Sequence, residues 1–120
     1  MRNSILVMVA GAMLAVSAPL QARDAWTEAV QAFDAHDHGK ALSAVRTAAA
    51  GGDARAQEVL ALMLWHGEAL YPGVQADRVE SLEWFGRAAA VGSDVALHLL
   101  RGWARHGSAE AARTLASIRP

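Results

Sequence analysis

Residues 56–92 read AQEVLALMLWHGEALYPGVQADRVESLEWFGRAAAVG and carry the patterns that decide the fold. From Ala56 onward, apolar residues recur at positions i, i+3, i+4 and i+7, which places them on one face of an α-helix. Gly67 follows this segment, where glycine commonly ends a helix. Asp77 begins the second half with Glu80 three residues later, an order typical of a capping box at a helix N-terminus. The stretch therefore predicts two helices joined by a loop.

A similar pattern recurs forty residues away. Between Asp37 and Ala69, eleven positions carry the amino acid that is also found forty positions later. The pairs least expected by chance in an alanine-rich chain are Asp37 with Asp77, Gly52 with Gly92, Leu60 with Leu100, His66 with His106 and Gly67 with Gly107. A fixed period of about 20–50 residues is typical of a solenoid built from stacked structural repeats.

The periodic segments predict an all-α fold of six helices in three antiparallel pairs, with no strand. The first helix is expected over residues 25–35, the second over residues 40–50 and a last, short one over residues 109–118. Asp53 and Asp94 precede the apolar stripes of the third and fifth helices and are the expected N-caps. Alanine, with 28 residues in the chain, has the highest helix propensity and lets helix axes approach closely.

Length and composition limit the function classes. A chain of 120 residues forms one domain at most. Its hydrophobic content of 53 % rules out a disordered chain, and its formal net charge of −1 argues against a nucleic-acid partner. The absence of cysteine excludes a disulfide framework, a thiolate metal site and a cysteine nucleophile.

The N-terminus has the pattern of a secretory signal peptide. Arg2 precedes an apolar run at residues 5–16, and small residues follow up to Ala22, after which we expect cleavage. The apolar run is shorter than the ~20 residues needed to span a bilayer. The prediction is a signal peptide at residues 1–22 and an exported domain at residues 23–120, periplasmic or secreted, with no stable membrane insertion after cleavage. The alternative is an uncleaved membrane anchor.

The order of motifs in residues 56–92 carries a family resemblance. The motifs are an alanine-rich first helix, Gly73-Val74 in the loop, Asp77 at the helix cap, Trp84-Phe85, and Arg87-Ala88-Ala89 before Gly92. Together they resemble a Sel1-like repeat, a relative of the tetratricopeptide repeat. The resemblance implies a short right-handed α-solenoid of about three helix pairs over residues 23–120. It also implies a role in protein–protein contacts.

The resemblance is incomplete. The sequence has Ala61 where the family has glycine and Phe85 where it has tyrosine, and residues 69–72 are an insertion. A partial copy of the second helix covers residues 37–52, and a partial copy of the first helix covers residues 94–107. The insertion is either simple length variation in a surface loop or a binding loop with an exposed aromatic residue.

Catalytic and cofactor motifs are absent from the sequence. It contains no nucleophile elbow and no phosphate-binding glycine loop, so we expect no enzyme activity and no cofactor. His36, Asp37 and His38 would bind zinc only if a further ligand came from elsewhere, and a role in the N-cap and turn is the competing interpretation. We therefore assign no catalytic, cofactor or metal residue.

Five residues are candidates for contact with a protein partner of unknown identity. In helical-repeat solenoids the first helix of each pair lines the concave surface, and tryptophan, tyrosine and arginine are enriched at interface hot spots. The candidates are Trp65, Tyr71, Arg101, Trp103 and Arg105. Against this interpretation, Trp103 occupies the stripe position of Met63, which instead predicts a core residue.

Two functions are compatible with these patterns. The first is an exported, non-enzymatic protein–protein interaction module that uses a helical-repeat surface. The alternative is a periplasmic protein that binds a small ligand, a cell-wall peptide or a metal, with possible hydrolase activity. The alternative would require a polar pocket with a perturbed titratable group.

Overall fold

The computed structural model describes residues 20–118, which fold into six α-helices and one short 3₁₀ segment without any strand. The helices are α1 (Leu20–Asp34), α2 (His38–Ala50), α3 (Ala54–His66), α4 (Arg78–Ala90), α5 (Asp94–Arg105) and α6 (Ala109–Ser117), and the 3₁₀ segment Gly67–Ala69 follows α3. The predicted all-α class is confirmed.

Most of the predicted signal peptide lies outside the described residues. Its last three residues, 20–22, form the first turn of α1, and Ala22 is buried there. A Cβ atom added to Gly51 would lie 2.7 Å from the Cβ of Ala22, so the two helices meet closely at this point. Within residues 20–118, no helix combines the length and the apolar character that crossing a bilayer requires.

Polar side chains cap the N-termini of five of the helices. Asp37, Asp53 and Asp77 each accept a hydrogen bond from a backbone N–H in the first turn that follows. These bonds satisfy donors that have no partner within the helix. Ser93 and Ser108 do the same for α5 and α6, through bonds of 3.1 Å to the N–H groups of Ala96 and Ala111.

Two expectations about the caps are wrong. Ser93, and not Asp94, is the N-cap of α5, and Asp94 is its first residue. The predicted capping box also lacks its second bond, because the Asp77 N–H donates to the Leu64 carbonyl at 2.8 Å. The Glu80 side chain is consequently available for other partners.

A glycine with a left-handed backbone conformation ends α3. Gly67 has φ +55°, which strains any residue with a side chain. A Cβ atom at this position would also lie 2.7 Å from the Ala76 backbone nitrogen. Gly67 therefore allows the loop to return directly over the end of α3 before Asp77 starts α4.

Consecutive helices pack against each other, and α4 also contacts α6. Their buried residues form two clusters. The first cluster joins α1, α2 and α3, and eight of its thirteen buried residues are alanine, so these helices lie close together. The second cluster joins α3 to α6 around Leu82, Phe85 and Leu100. Helix α3 contributes buried residues to both clusters, and the partly buried Trp84 of α4 also packs against both.

Candidate interaction surface

Two tryptophans from different helix pairs are stacked on each other. Trp65 lies at the end of α3 and Trp103 lies in α5, and their rings are nearly parallel, with centroids 4.0 Å apart and 14° between the planes. The Phe85 ring meets Trp103 edge-on, with centroids 5.2 Å apart. Both tryptophans are half-buried and pack against the second cluster. The stack therefore fixes α3 to α5 and leaves part of each ring at the surface.

A groove of about 550 Å³ opens beside this stack. The guanidinium carbon of Arg78 lies 4.5 Å from the Trp65 ring centroid, a cation–π arrangement at one end of the groove. The remaining lining residues are Val79 and Leu82 from α4, Gly107 and Ser108 from the turn before α6, and Ala109 and Glu110 from the start of α6. The lining of the groove thus combines apolar side chains with one arginine and one glutamate.

Two shallower depressions extend along the seam between α4 and α6. Their volumes are about 400 Å³ and about 190 Å³. A Cβ atom at Gly86 would lie 2.8 Å from the Cγ2 atom of Thr114, so the glycine allows the two helices to meet at this point. On either side of that contact the seam is open.

Tyr71 lies apart from the tryptophan stack and is half-buried rather than exposed. Its ring centroid is 6.4 Å from that of Phe33 and 6.1 Å from that of His38, so it packs against the first cluster. The five candidate residues therefore do not form one continuous patch. Tyr71 fixes the inserted loop, residues 69–72, against the first cluster, so the loop does not project its aromatic side chain into solvent.

His36, Asp37 and His38 form a helix–helix turn. His36 has φ +57°, Asp37 is the N-cap of α2, and His38 is the first residue of that helix. The two imidazole centroids are 6.5 Å apart. Within residues 20–118, no three histidine, aspartate or glutamate side chains come together as a metal site would require.

Arg101 and Arg105 are exposed and lie one turn apart on α5. The ion pairs found within residues 20–118 join Arg46 to Glu80 and Arg55 to Asp53. Neither Arg101 nor Arg105 is therefore in an ion pair in that part of the chain. The two guanidinium groups face solvent.

Glu80 has a role that sequence reasoning missed. Its carboxylate accepts two bonds from Arg46 of α2, at 2.6 Å and 3.1 Å, and one bond of 2.9 Å from the indole N–H of Trp84. The hydrogen bonds from Arg46 lower the pKa of Glu80 despite its partial burial. The three side chains link α2 to α4. Only the opposite charges of Arg46 and Glu80, 34 residues apart, hinted at this link in the sequence.

Two further hydrogen bonds connect α3 to the helices that follow it. The hydroxyl of Ser93 donates to the Glu58 carboxylate at 2.8 Å, and the buried hydroxyl of Ser81 donates to the Ala61 carbonyl at 2.6 Å. Each bond satisfies a polar group at a helix–helix contact. The Ser81 bond joins α4 to α3 within the second helix pair, whereas the Ser93 bond and the tryptophan stack join α3 to the start and to the body of α5.

Comparison with known proteins identifies no relative of this chain. No family model matches it, no curated protein matches it, and no solved structure matches it. The Sel1-like resemblance of residues 56–92 therefore rests on the sequence motifs alone.

Proposed function

We propose that this chain is a short right-handed α-solenoid of Sel1-like helix pairs and acts as an exported, non-enzymatic protein–protein interaction module. The observation that carries the proposal is that several residues forty positions apart share an N-cap role, a positive φ angle or full burial. The resemblance of residues 56–92 to the family supports the handedness and the role. The signal-peptide pattern of residues 1–22 supports export.

The equivalence extends over caps, turns and core. Asp37 and Asp77 are both N-caps, as are Asp53 and Ser93. Positive φ angles occur at both members of two glycine pairs, +96° and +104° at Gly52 and Gly92, and +55° and +97° at Gly67 and Gly107. The pairs of identical residues that are fully buried are Ala48 with Ala88, Ala56 with Ala96, and Leu60 with Leu100.

A stack of equivalent helix pairs presents an extended surface for binding and does not by itself assemble catalytic groups. Each repeat buries its apolar face on its neighbours, and the exposed seams between repeats are available for a partner. The groove beside Trp65 and Arg78 has the composition of such a surface, since tryptophan and arginine are frequent hot-spot residues. Val79 is 70 % exposed on its rim and is the apolar residue that a partner would cover.

The test is capture of a partner from bacterial envelope extract, followed by a binding measurement with the purified candidate. We expect the Val79→Glu variant to lose at least about tenfold in affinity, because a charge would be buried in an apolar contact. Val30→Glu is the matched control, since Val30 is also an exposed valine on a helix, 41 % exposed, but does not line the groove.

Circular dichroism would first establish that both variants are folded. Saturable binding that Val79→Glu weakens and Val30→Glu preserves supports the proposal. Equal binding by both variants would place the contact elsewhere on the solenoid. Turnover or tight binding of a small ligand, with no protein captured, would contradict the interaction module and favour the alternative function.

A further inference from the structure

Helix α3 uses one face to meet α5. On this face, the Glu58 carboxylate accepts a hydrogen bond from Ser93, Ala61 is buried in the second cluster, and Trp65 stacks on Trp103. These three residues lie one turn apart on the helix. They are the residues through which α3 supports the pair that follows it.

The corresponding face of α5 is exposed. Forty positions after Glu58, Ala61 and Trp65 come His98, Arg101 and Arg105, and all three are exposed. Gly102 lies between the arginines in sequence, and a Cβ atom added to it would meet nothing within 4 Å. We name His98, Arg101, Gly102 and Arg105 the α5 basic face.

The positive charge of this face indicates that a partner surface would be negatively charged. Arg101 and Arg105 form no ion pair within residues 20–118, as described above. Asp94, one turn before His98, is the acidic residue nearest in sequence on the same face of the helix. Two unpaired guanidinium groups one turn apart match carboxylates spaced along a facing helix, and the open space over Gly102 permits close approach of a helix axis.

We propose that the α5 basic face docks an acidic helix of a protein partner. This inference rests on the proposed function and adds the chemistry of the partner. The interaction follows from charge complementarity and therefore weakens with increasing ionic strength.

The test is a titration of the ¹⁵N-labelled exported chain followed by NMR. The probe is an alanine-based peptide of about 18 residues, long enough to form a helix in water, with glutamates along one face. Its isostere, with glutamine in place of glutamate, is the control peptide. We expect the glutamate peptide to shift the amide signals of residues 98–105 and the glutamine peptide to leave them unchanged.

The protein variants are R101Q/R105Q and, as a control with the same change of net charge, R23Q/K40Q. All four side chains are exposed, so these substitutions leave the core intact. We expect R101Q/R105Q to bind the glutamate peptide about 3- to 10-fold more weakly and R23Q/K40Q to bind it as the parent does. Raising the salt from about 50 mM to about 300 mM should weaken binding by the parent.

Equal shifts with both peptides, or shifts located away from residues 98–105, would overturn the inference. Binding of anionic lipid vesicles at the same amides, with no effect of the glutamate peptide, would overturn it as well. A captured protein whose affinity is insensitive to salt and to R101Q/R105Q would overturn this inference while leaving the interaction module in place. Failure of the module itself would appear as no protein partner in the extract experiment.

Discussion

Helices α3 and α5 have matching inner faces and different outer faces. Leu60 and Leu100 are both fully buried, and the alanines one turn earlier are buried as well. On the outer face, however, α3 carries buried Ala61 where α5 carries exposed Arg101. The inner face thus buries each helix against its neighbours, α3 in the first cluster and α5 in the second. The outer face determines whether another helix can lie against it without burying a charge.

The largest loss of stability is expected when the two matched leucines, Leu60 and Leu100, are each truncated. Leu60→Ala and Leu100→Ala each leave a cavity, with an expected loss of about 2–5 kcal/mol in the free energy of unfolding. We expect Leu60→Ala to cost more, because α3 contributes to both clusters and α5 to one. Urea denaturation followed by far-UV circular dichroism measures both. A larger loss for Leu100→Ala would show that α5 is the central element instead.

The second test uses the two glycines that end these helices. Gly67→Ala introduces strain at φ +55° and places a Cβ atom against the Ala76 backbone, whereas the Cβ atom of Gly107→Ala meets nothing within 4 Å. We expect a destabilisation of about 1 kcal/mol for Gly107→Ala, from backbone strain alone, and of about 2–4 kcal/mol for Gly67→Ala. Thermal unfolding of both variants checks this difference. Equal losses of stability for the two variants would mean that the backbone near Ala76 shifts away from the new Cβ atom at position 67 without a cost in free energy.

The smallest effect concerns the link between α2 and α4. Arg46 binds Glu80, but the residue forty positions after Arg46 is Gly86, which instead allows contact with Thr114. Because the folded pKa of Glu80 is lowered, its contribution is present above the unfolded value of about 4.3 and is lost as the pH falls through the folded pKa.

We expect Glu80→Gln to destabilise the protein by about 0.2–1 kcal/mol at pH 7, the range for a solvent-accessible ion pair. The difference between parent and variant should shrink as the pH falls below the unfolded value and through the lowered folded pKa of Glu80, where the parent carboxylate becomes protonated. Urea denaturation at pH 7 and at acidic pH measures this. A difference that is the same at both pH values would mean that hydrogen bonding of the neutral side chain, and not its charge, stabilises the link.

Local sequence patterns predicted the helices well. Periodic apolar residues and polar caps are read from a few neighbouring residues, and all six helices occur within residues 20–118. The N-cap of α5 was placed one residue too late, because Ser93 and Asp94 are both good caps and lie side by side. Ser93 lies forty positions after Asp53, the N-cap of α3, so the offset of forty indicates Ser93.

The interaction surface was less predictable. Trp65 and Trp103 are not forty residues apart, so the offset of forty does not predict their stack, which depends on how α3 and α5 lie relative to each other. Tyr71 lies in an inserted loop, whose path is set by contacts with Phe33 and His38 that are distant in sequence. The Arg46–Glu80 pair likewise depends on tertiary structure. Patterns within one helix contain no information about any of these distances.

The alanine-rich first cluster limits which substitutions this sequence can accept in evolution. Alanine has no side-chain rotamers to lose on folding, so these helices become ordered at little side-chain entropy cost. The same closeness leaves little volume for a larger residue, since Ala29, Ala41 and Ala48 of this cluster are fully buried. Single substitutions there have few acceptable outcomes, and we expect diversification to proceed mainly through the exposed positions of the helices.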